Sequence, residues 1–209
     1  MLIAGEKLSY KEEVLETLMQ RDFSKLSFAV IDLETTGFSS HKNEIIEVGL
    51  VKVENLSIKD TYHSLVKPKG YLPLKITEIT GLNGDFLVNA PELSQIKGEI
   101  ESFIKNKIVV EHSQRTFDMA FLKNGLNMNE ELILLNTLKL FGRMKPRPKK
   151  KDLASMCRIL GVELPNHHYA LNDAMATADA LIKMLKIYIA NGIVRFGDFP
   201  MAKELIKWV

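Results

Sequence analysis

Two carboxylates close an apolar run near the start of the chain: Phe28-Ala29-Val30-Ile31 leads into Asp32-Leu33-Glu34 and then Thr35-Thr36-Gly37. A run of this composition reads as a strand buried on both faces, and Thr-Thr-Gly marks where the chain leaves the sheet. Side chains on a strand return to the same face every second residue, so Asp32 and Glu34 project side by side. Like charges so close repel one another and resist desolvation, and a cation between them relieves both effects. An all-oxygen ligand set suits a hard divalent ion such as Mg²⁺ or Mn²⁺. Taken alone, the pair also fits a turn-forming Asp followed by a solvated strand end. The metal reading therefore depends on further acids, a base and a substrate surface elsewhere in the chain.

Two later stretches supply acids. Asp118 lies in Thr116-Phe117-Asp118-Met119-Ala120-Phe121-Leu122, after the apolar run Ile108-Val109-Val110 and near the start of a helical pattern. An acid in a first helical turn is favoured by the helix dipole whatever else it does. Asp173 ends His168-Tyr169-Ala170-Leu171-Asn172-Asp173 and opens a long helical pattern. By itself Asp173 is another first-turn acid, and His168 a surface-loop residue.

Jointly, Asp32 with Glu34, then Asp118, then Asp173 preceded five residues earlier by His168 resemble the DEDD exonucleases of the His-carrying subtype. On these motifs the chain is identified as a member of the DnaQ-like (DEDDh) 3′-to-5′ exonuclease family, which includes the epsilon proofreading subunit of bacterial DNA polymerase III. Asp32 to Gly37 resembles the first family motif, Phe117-Asp118 with Phe121-Leu122 the second, and His168 through Asp173-Ala174 the third. Ile79-Thr80-Gly81-Leu82 and Asn136-Thr137-Leu138 are similar to shorter family signatures, and the likeness covers about residues 27 to 190.

The resemblance implies an α/β fold, a ribonuclease H-like mixed β-sheet flanked by α-helices. It also implies hydrolysis of a 3′ end to nucleoside 5′-monophosphates with two divalent cations, Mg²⁺ or Mn²⁺. Phosphodiester hydrolysis needs a strong nucleophile and charge relief at the leaving 3′-oxygen, and two cations roughly 4 Å apart supply both. In that scheme Asp32 bridges the metals, Glu34 and Asp173 complete the first site, and Asp118 holds the second, partly through water. His168, with an ordinary pKa of about 6.5, is the expected general base, and the five-residue offset to Asp173 favours it over its neighbour His167. Thr35 and Thr36 would approach the terminal nucleotide through their backbone, with Leu82 against its base. Alternatively, these three residues simply shape turns.

Lys145-Pro146-Arg147-Pro148-Lys149-Lys150-Lys151 is the densest basic stretch. It fits either a solvated loop or a holder of strand phosphates. Ser113 and Gln114 stand where family members often show His-Asn, with His112 one step earlier, and Asn136 stands where the family has Asp. The first departure concerns contacts to the substrate strand, and the second a structural position.

The elements that must position these groups can be read from periodicity. Residues 11 to 23 have helical spacing and form an N-terminal accessory helix within residues 1–25. Ile45 to Val53 and Thr61 to Val66 continue the first strand as an antiparallel β-β-β start. A helix from about Pro91 to Lys107, a strand at Ile108 to Val110 and helices at Phe117–Leu126, Asn136–Phe141, Lys151–Leu160 and Ala170–Ala190 follow. The exonuclease domain is thus expected over 26–192, and a short helix from about Phe199 to Trp208 within 193–209. That tail is too short for a long polymerase-tethering segment.

Composition bounds the rest. At 209 residues and 46% hydrophobic the chain can bury one substantial core. Cys157 is the single cysteine, which excludes an intrachain disulfide and a cysteine-type zinc site and fits a reducing compartment. No membrane-length apolar run or signal peptide is visible, so a cytoplasmic protein without a membrane partner is expected. The formal charge of +2 leaves only local clusters to argue for nucleic acid. A DNA 3′ end is the expected partner, because Thr35-Thr36-Gly37 looks most like the proofreading branch, with a DNA polymerase as a candidate companion. An RNA 3′-exonuclease and a non-catalytic nucleic-acid-binding module are the rival readings.

Overall fold

The computed structural model describes residues 9–114 and 116–209; residues 1–8 of the expected N-terminal segment lie outside the described residues. Ser9 caps helix α1 (Tyr10–Gln20) in a reciprocal box with Glu12. Strands β1 (Ser27–Thr35), β2 (Ile45–Glu54) and β3 (Ser57–Leu65) form the antiparallel start expected from sequence. Helices α2 (Leu74–Thr80), α3 (Gly84–Leu87) and α4 (Lys97–Ile104) lead to β4 (Ile108–Glu111) and α5 (Phe117–Leu126). Then come β5 (Ile133–Asn136), α6 (Thr137–Phe141), α7 (Leu153–Leu160), α8 (Ala170–Ala190) and β6 (Ile206–Trp208).

The sheet order is β3-β2-β1-β4-β5-β6, with β4 parallel to β1 and to β5, and β6 antiparallel to β5. Period-two alternation along β1 divides the core. Phe28 and Val30 face a cluster shared with α6, α7 and α8, whereas Ala29, Ile31 and Leu33 face one shared with α4 and α5. Asp32 and Glu34 continue the Phe28–Val30 face and so turn toward α8. Helices cover both faces, which explains why Phe28–Ile31 in β1 is an unbroken apolar run.

Three expectations change. The helix expected to start near Pro91 begins at Lys97. The helix expected over Asn136–Phe141 starts at Thr137, and Asn136 instead ends a strand, Ile133–Asn136, that pairs alongside β4. The expected C-terminal helix is instead two 3₁₀ turns, Phe196–Asp198 and Ala202–Glu204, followed by β6. Pairing of Ile133 with Trp208 and Leu135 with Ile206 satisfies the β5 edge, and this nonlocal gain overrides local helical spacing. Phe23, Phe196, Phe199 and Leu205 belong to one cluster with α8, so the segments before β1 and before β6 pack on the central core.

Candidate active site

The register of the first strands sets out the site. Asp32 is opposite Gly49 on β2, which is opposite His63 on β3; Glu34 is opposite Glu47. Paired residues share a face, so this row lies beneath the N-terminus of α8. Gly49 makes that approach possible: a Cβ there would stand 2.4 Å from the carbonyl carbon and oxygen of Ala170. The first turn of α8 therefore rests on bare sheet backbone, which brings Asp173 down to the carboxylates of β1.

Asp32, Glu34 and Asp173 each offer a carboxylate oxygen, all within 4.8 Å of one another. Asp173 is buried, and its Oδ1 has no hydrogen-bond partner among the described residues. A buried acceptor left unpaired amid other acids is costly for a protein alone and ordinary for a cation ligand. The donor set, hard oxygens on rigid elements, fits a divalent ion.

Asp118 sits in the first turn of α5, buried. Burial, and then the nearby Glu111 carboxylate, push its pKa up to about 8. Burial raises Glu34 to about 8 as well, with Glu47, Asp173 and Asp118 adding repulsion. Asp32 is pushed well above the usual carboxylate range by burial and then by Asp118, Asp173 and Glu34. Each acid resists ionising first because it is buried and then because neighbouring carboxylates repel its charge, an arrangement that positive charge would relieve.

Both histidines before α8 approach Asp173. His167 Nδ1 lies 2.7 Å from Asp173 Oδ2, and the backbone N–H of His168 donates to the same oxygen at 3.2 Å. The rings stack with centroids 4.0 Å apart, and a ring nitrogen of His168 lies within 4.8 Å of an Asp173 oxygen. His168 adopts φ 73°, a left-handed backbone that folds the loop back onto the acid. Burial and then His167 lower the His168 pKa, which favours a neutral ring able to accept a proton.

The expected substrate residues lie at the end of β1 and just after α2. The Thr35 hydroxyl donates to the Gly37 carbonyl at 2.7 Å, and that of Thr36 accepts from the Glu44 N–H at 2.9 Å. Both close the turn after β1. Leu82 packs with Ile46 and Leu87 in a small cluster beside the Thr35–Ile45 pair.

Several supporting residues escaped the sequence reading. Glu47, fully buried, accepts from the Ala170 N–H at 3.2 Å and lies 2.7 Å from His63 Nε2. Tyr169 completes the link, its hydroxyl 3.3 Å from His63 Nδ1. Glu111, also fully buried, accepts from the Met119 N–H at the start of α5. Asn136 ties Glu111 to the Ser113 carbonyl and caps α6. A signal was present in each case, since Glu47 and Glu111 interrupt or end otherwise apolar strands. His112 is structural: it bonds Thr137 Oγ1 and the Lys151 carbonyl, both at 2.8 Å, and burial lowers its pKa to about 4.

A mixed sheet of this order carrying its acids at the end of β1 and on two helix N-termini defines a ribonuclease H-like exonuclease. The solved nuclease domain of 3′hExo, described as a DEDDh family member bound to rAMP, has this fold: the TM-score is 0.67 at 20% identity, over 84% of this chain and 98% of that one. The exonuclease family model RNase_T matches residues 29–181, and the chain belongs to that family. The matched family is one of exonucleases, and the acids gathered here could hold a metal ion. Among similar proteins is a DNA polymerase III PolC-type from Clostridium perfringens, 36% identical over 157 residues, which are 74% of this chain and 11% of that protein. The same type from Bacillus cereus is 35% identical over 193 residues, 90% of this chain and 13% of that protein. The chain thus spans little more than a tenth of the length of these relatives. No helix among the described residues is long and apolar enough to cross a membrane.

Proposed function

We propose that this chain removes nucleoside 5′-monophosphates from single-stranded or frayed DNA 3′ ends, using two divalent cations, Mg²⁺ or Mn²⁺. The observation that carries the reading is the convergence of the Asp32, Glu34 and Asp173 carboxylates, together with an Asp173 Oδ1 that has no hydrogen-bond partner among the described residues. In this reading Asp32, Glu34 and Asp173 would hold one cation, and Asp118 with Asp32 would hold the other. Bound there, the cations would supply an activated water and charge relief at the leaving oxygen.

The residues of the chain do the rest. His168 takes the proton of the attacking water as its oxygen bonds to phosphorus; the bond from phosphorus to the 3′-oxygen breaks, and that oxygen is protonated from solvent. The turn through Thr35 and Thr36 and the side chain of Leu82 border the terminal nucleotide. Glu47, His63 and Tyr169 hold the α8 entrance that carries His168 and Asp173.

DNA is favoured because the PolC-type relatives are DNA polymerases, and a polymerase acting at the same primer end is the corresponding partner. The rAMP bound to the 3′hExo domain supports RNA as the second substrate. The test is digestion of 5′-labelled DNA and RNA strands of matched sequence with Mg²⁺ or Mn²⁺, alongside Asp32→Ala and EDTA controls. A metal-dependent ladder from the 3′ end, lost in the variant and stronger on DNA, is the expected result. A stronger ladder on RNA reverses the substrate assignment, and strand binding without cleavage under either metal overturns the enzyme reading.

A further inference from the structure

The acids do not stand alone on their edge of the sheet. β1, β4 and β5 run parallel, so their C-terminal ends lie along one edge, and antiparallel β6 begins there, with Ile206 opposite Leu135. Passing along this edge from Asp32, one meets the loop before Asp118, then Asn136 at the end of β5, then Leu205 ahead of β6. At about 4.8 Å per strand, β6 is roughly 14 Å from β1.

Two contiguous cavities follow that path. One, of about 220 Å³, runs between Thr116, Asn136, Lys139, Glu204, Leu205 and Lys207. The other, of about 800 Å³, shares Lys139, Glu204, Leu205 and Lys207 and continues between the loop after α6 and the turn before β6. Its far walls carry Arg143, Lys145, Arg147 and Lys151 on one side and Lys203 on the other. Glu204 is the acid among these lining residues, and Arg143 already pairs with it at 2.6 Å. A chain with a formal charge of only +2 has therefore gathered a strongly positive groove at one place.

The groove is also braced. His112 Nε2, on the segment that leaves β4 for Asp118, donates to the Lys151 carbonyl at 2.8 Å. Arg143 donates to the Pro200 carbonyl at 2.8 Å, and Lys139 Nζ to the Glu204 carbonyl at 3.2 Å, which joins the two walls. Lys145, Arg147 and Lys203 remain exposed to whatever enters.

We propose that this groove holds backbone phosphates of the substrate strand a few nucleotides to the 5′ side of the bond being cut. The proposal rests on the exonuclease reading of the acid cluster, which fixes the 3′ terminus at Asp32 and leaves only 5′-ward nucleotides to extend along the edge. Point charges on lysine and arginine, without aromatic platforms, favour sequence-independent contact to phosphates over reading of bases.

The triple variant Lys145→Gln/Arg147→Gln/Lys203→Gln tests it, because all three side chains are exposed and none belongs to the catalytic machinery. Kinetics are measured on a dinucleotide and on a single strand of about ten nucleotides. The expected result is a KM at least ~10-fold higher for the long strand, with its kcat and the dinucleotide kinetics unchanged. The slope of log affinity against log salt should become shallower by about 2, at ~0.7 per lost phosphate contact on a single strand. Equal losses on both lengths, an unchanged salt slope, or a loss seen only with an annealed complementary strand would overturn the proposal. Anisotropy of the labelled strand in EDTA reads the groove without turnover, so failure of the exonuclease reading and failure of the groove remain distinguishable.

Discussion

Gly49 is the register partner of Asp32, and the space a Cβ would need at Gly49 is taken by the Ala170 backbone, 2.4 Å away. The first turn of α8, and with it Asp173, is therefore placed by the absence of a side chain on the neighbouring strand. Gly49→Ala should push the helix start off the sheet at a cost of about 1–3 kcal/mol. It should also weaken the rise in melting temperature that Mn²⁺ produces, because Asp173 moves away from Asp32 and Glu34. Thermal unfolding with and without Mn²⁺ measures both effects. A variant with unchanged stability and unchanged metal response would show that α8 is placed by other contacts.

The raised carboxylates set a pH dependence for the metal-free protein. Glu34 and Asp118 are shifted up to about 8 from ordinary values of 4.5 and 3.8, and Asp32 is raised with them. Their charged forms are disfavoured only in the folded chain, which thus holds more protons than the unfolded chain across that window. Their contribution is favourable below the ordinary carboxylate range and is lost as pH rises toward about 8. The melting temperature in EDTA should fall between about pH 5 and pH 8, and Mg²⁺ or Mn²⁺ should restore most at the upper end. A metal-induced shift that is largest at low pH would contradict this account.

How much of this could be read from the chain varied with how local the cause was. The β1 acids, the α8 pattern and the first-turn positions of Asp118 and Asp173 announce themselves because period and capping act over a few residues. β5 is only Ile133–Asn136, too short for a period to separate strand from helix. β6 exists through its pairing with β5, so Ile206–Trp208 carries no strand signal of its own strong enough to override helical spacing. One wall of the groove was legible as the basic stretch Lys145–Lys151, but the other was not, since Lys203 comes to line the same cavity only after β6 docks. The likeness of Asp32, Glu34, Asp118, His168 and Asp173 to a family pattern, by contrast, needed no folded coordinates. The contact of His167 with Asp173 did.

Glu47 should prove more structural than its place beside Glu34 suggests. It accepts from the Ala170 N–H and lies against His63, so Glu47→Ala strands the buried Ala170 N–H and removes a partner of the part-exposed His63 ring. The expected cost is about 1–3 kcal/mol for a donor left unsatisfied. In a chain of this length that corresponds to about 2–4 °C in melting temperature per kcal/mol. Glu47→Gln keeps an acceptor for Ala170 and should lose less than half as much. Equal losses in the two variants would mean that charge, not hydrogen bonding, is what the position supplies.

The stacked histidines should separate cleanly by function. His167 holds Asp173 Oδ2 directly at 2.7 Å, whereas the His168 ring lies outside that contact and is kept below its ordinary pKa by burial and by its neighbour. If His168 is the proton acceptor, His168→Ala should lower kcat by about 10²–10⁴ while leaving KM and the Mn²⁺-induced rise in melting temperature in place. The acidic limb of the rate profile should go with it, because the neutral ring that accepts the proton is lost. His167→Ala should do the reverse, weakening the metal response with a smaller loss of kcat, since it removes a partner of Asp173 and not the acceptor. The larger loss of kcat in His167→Ala would exchange the two roles, with the ring that touches Asp173 also taking the proton.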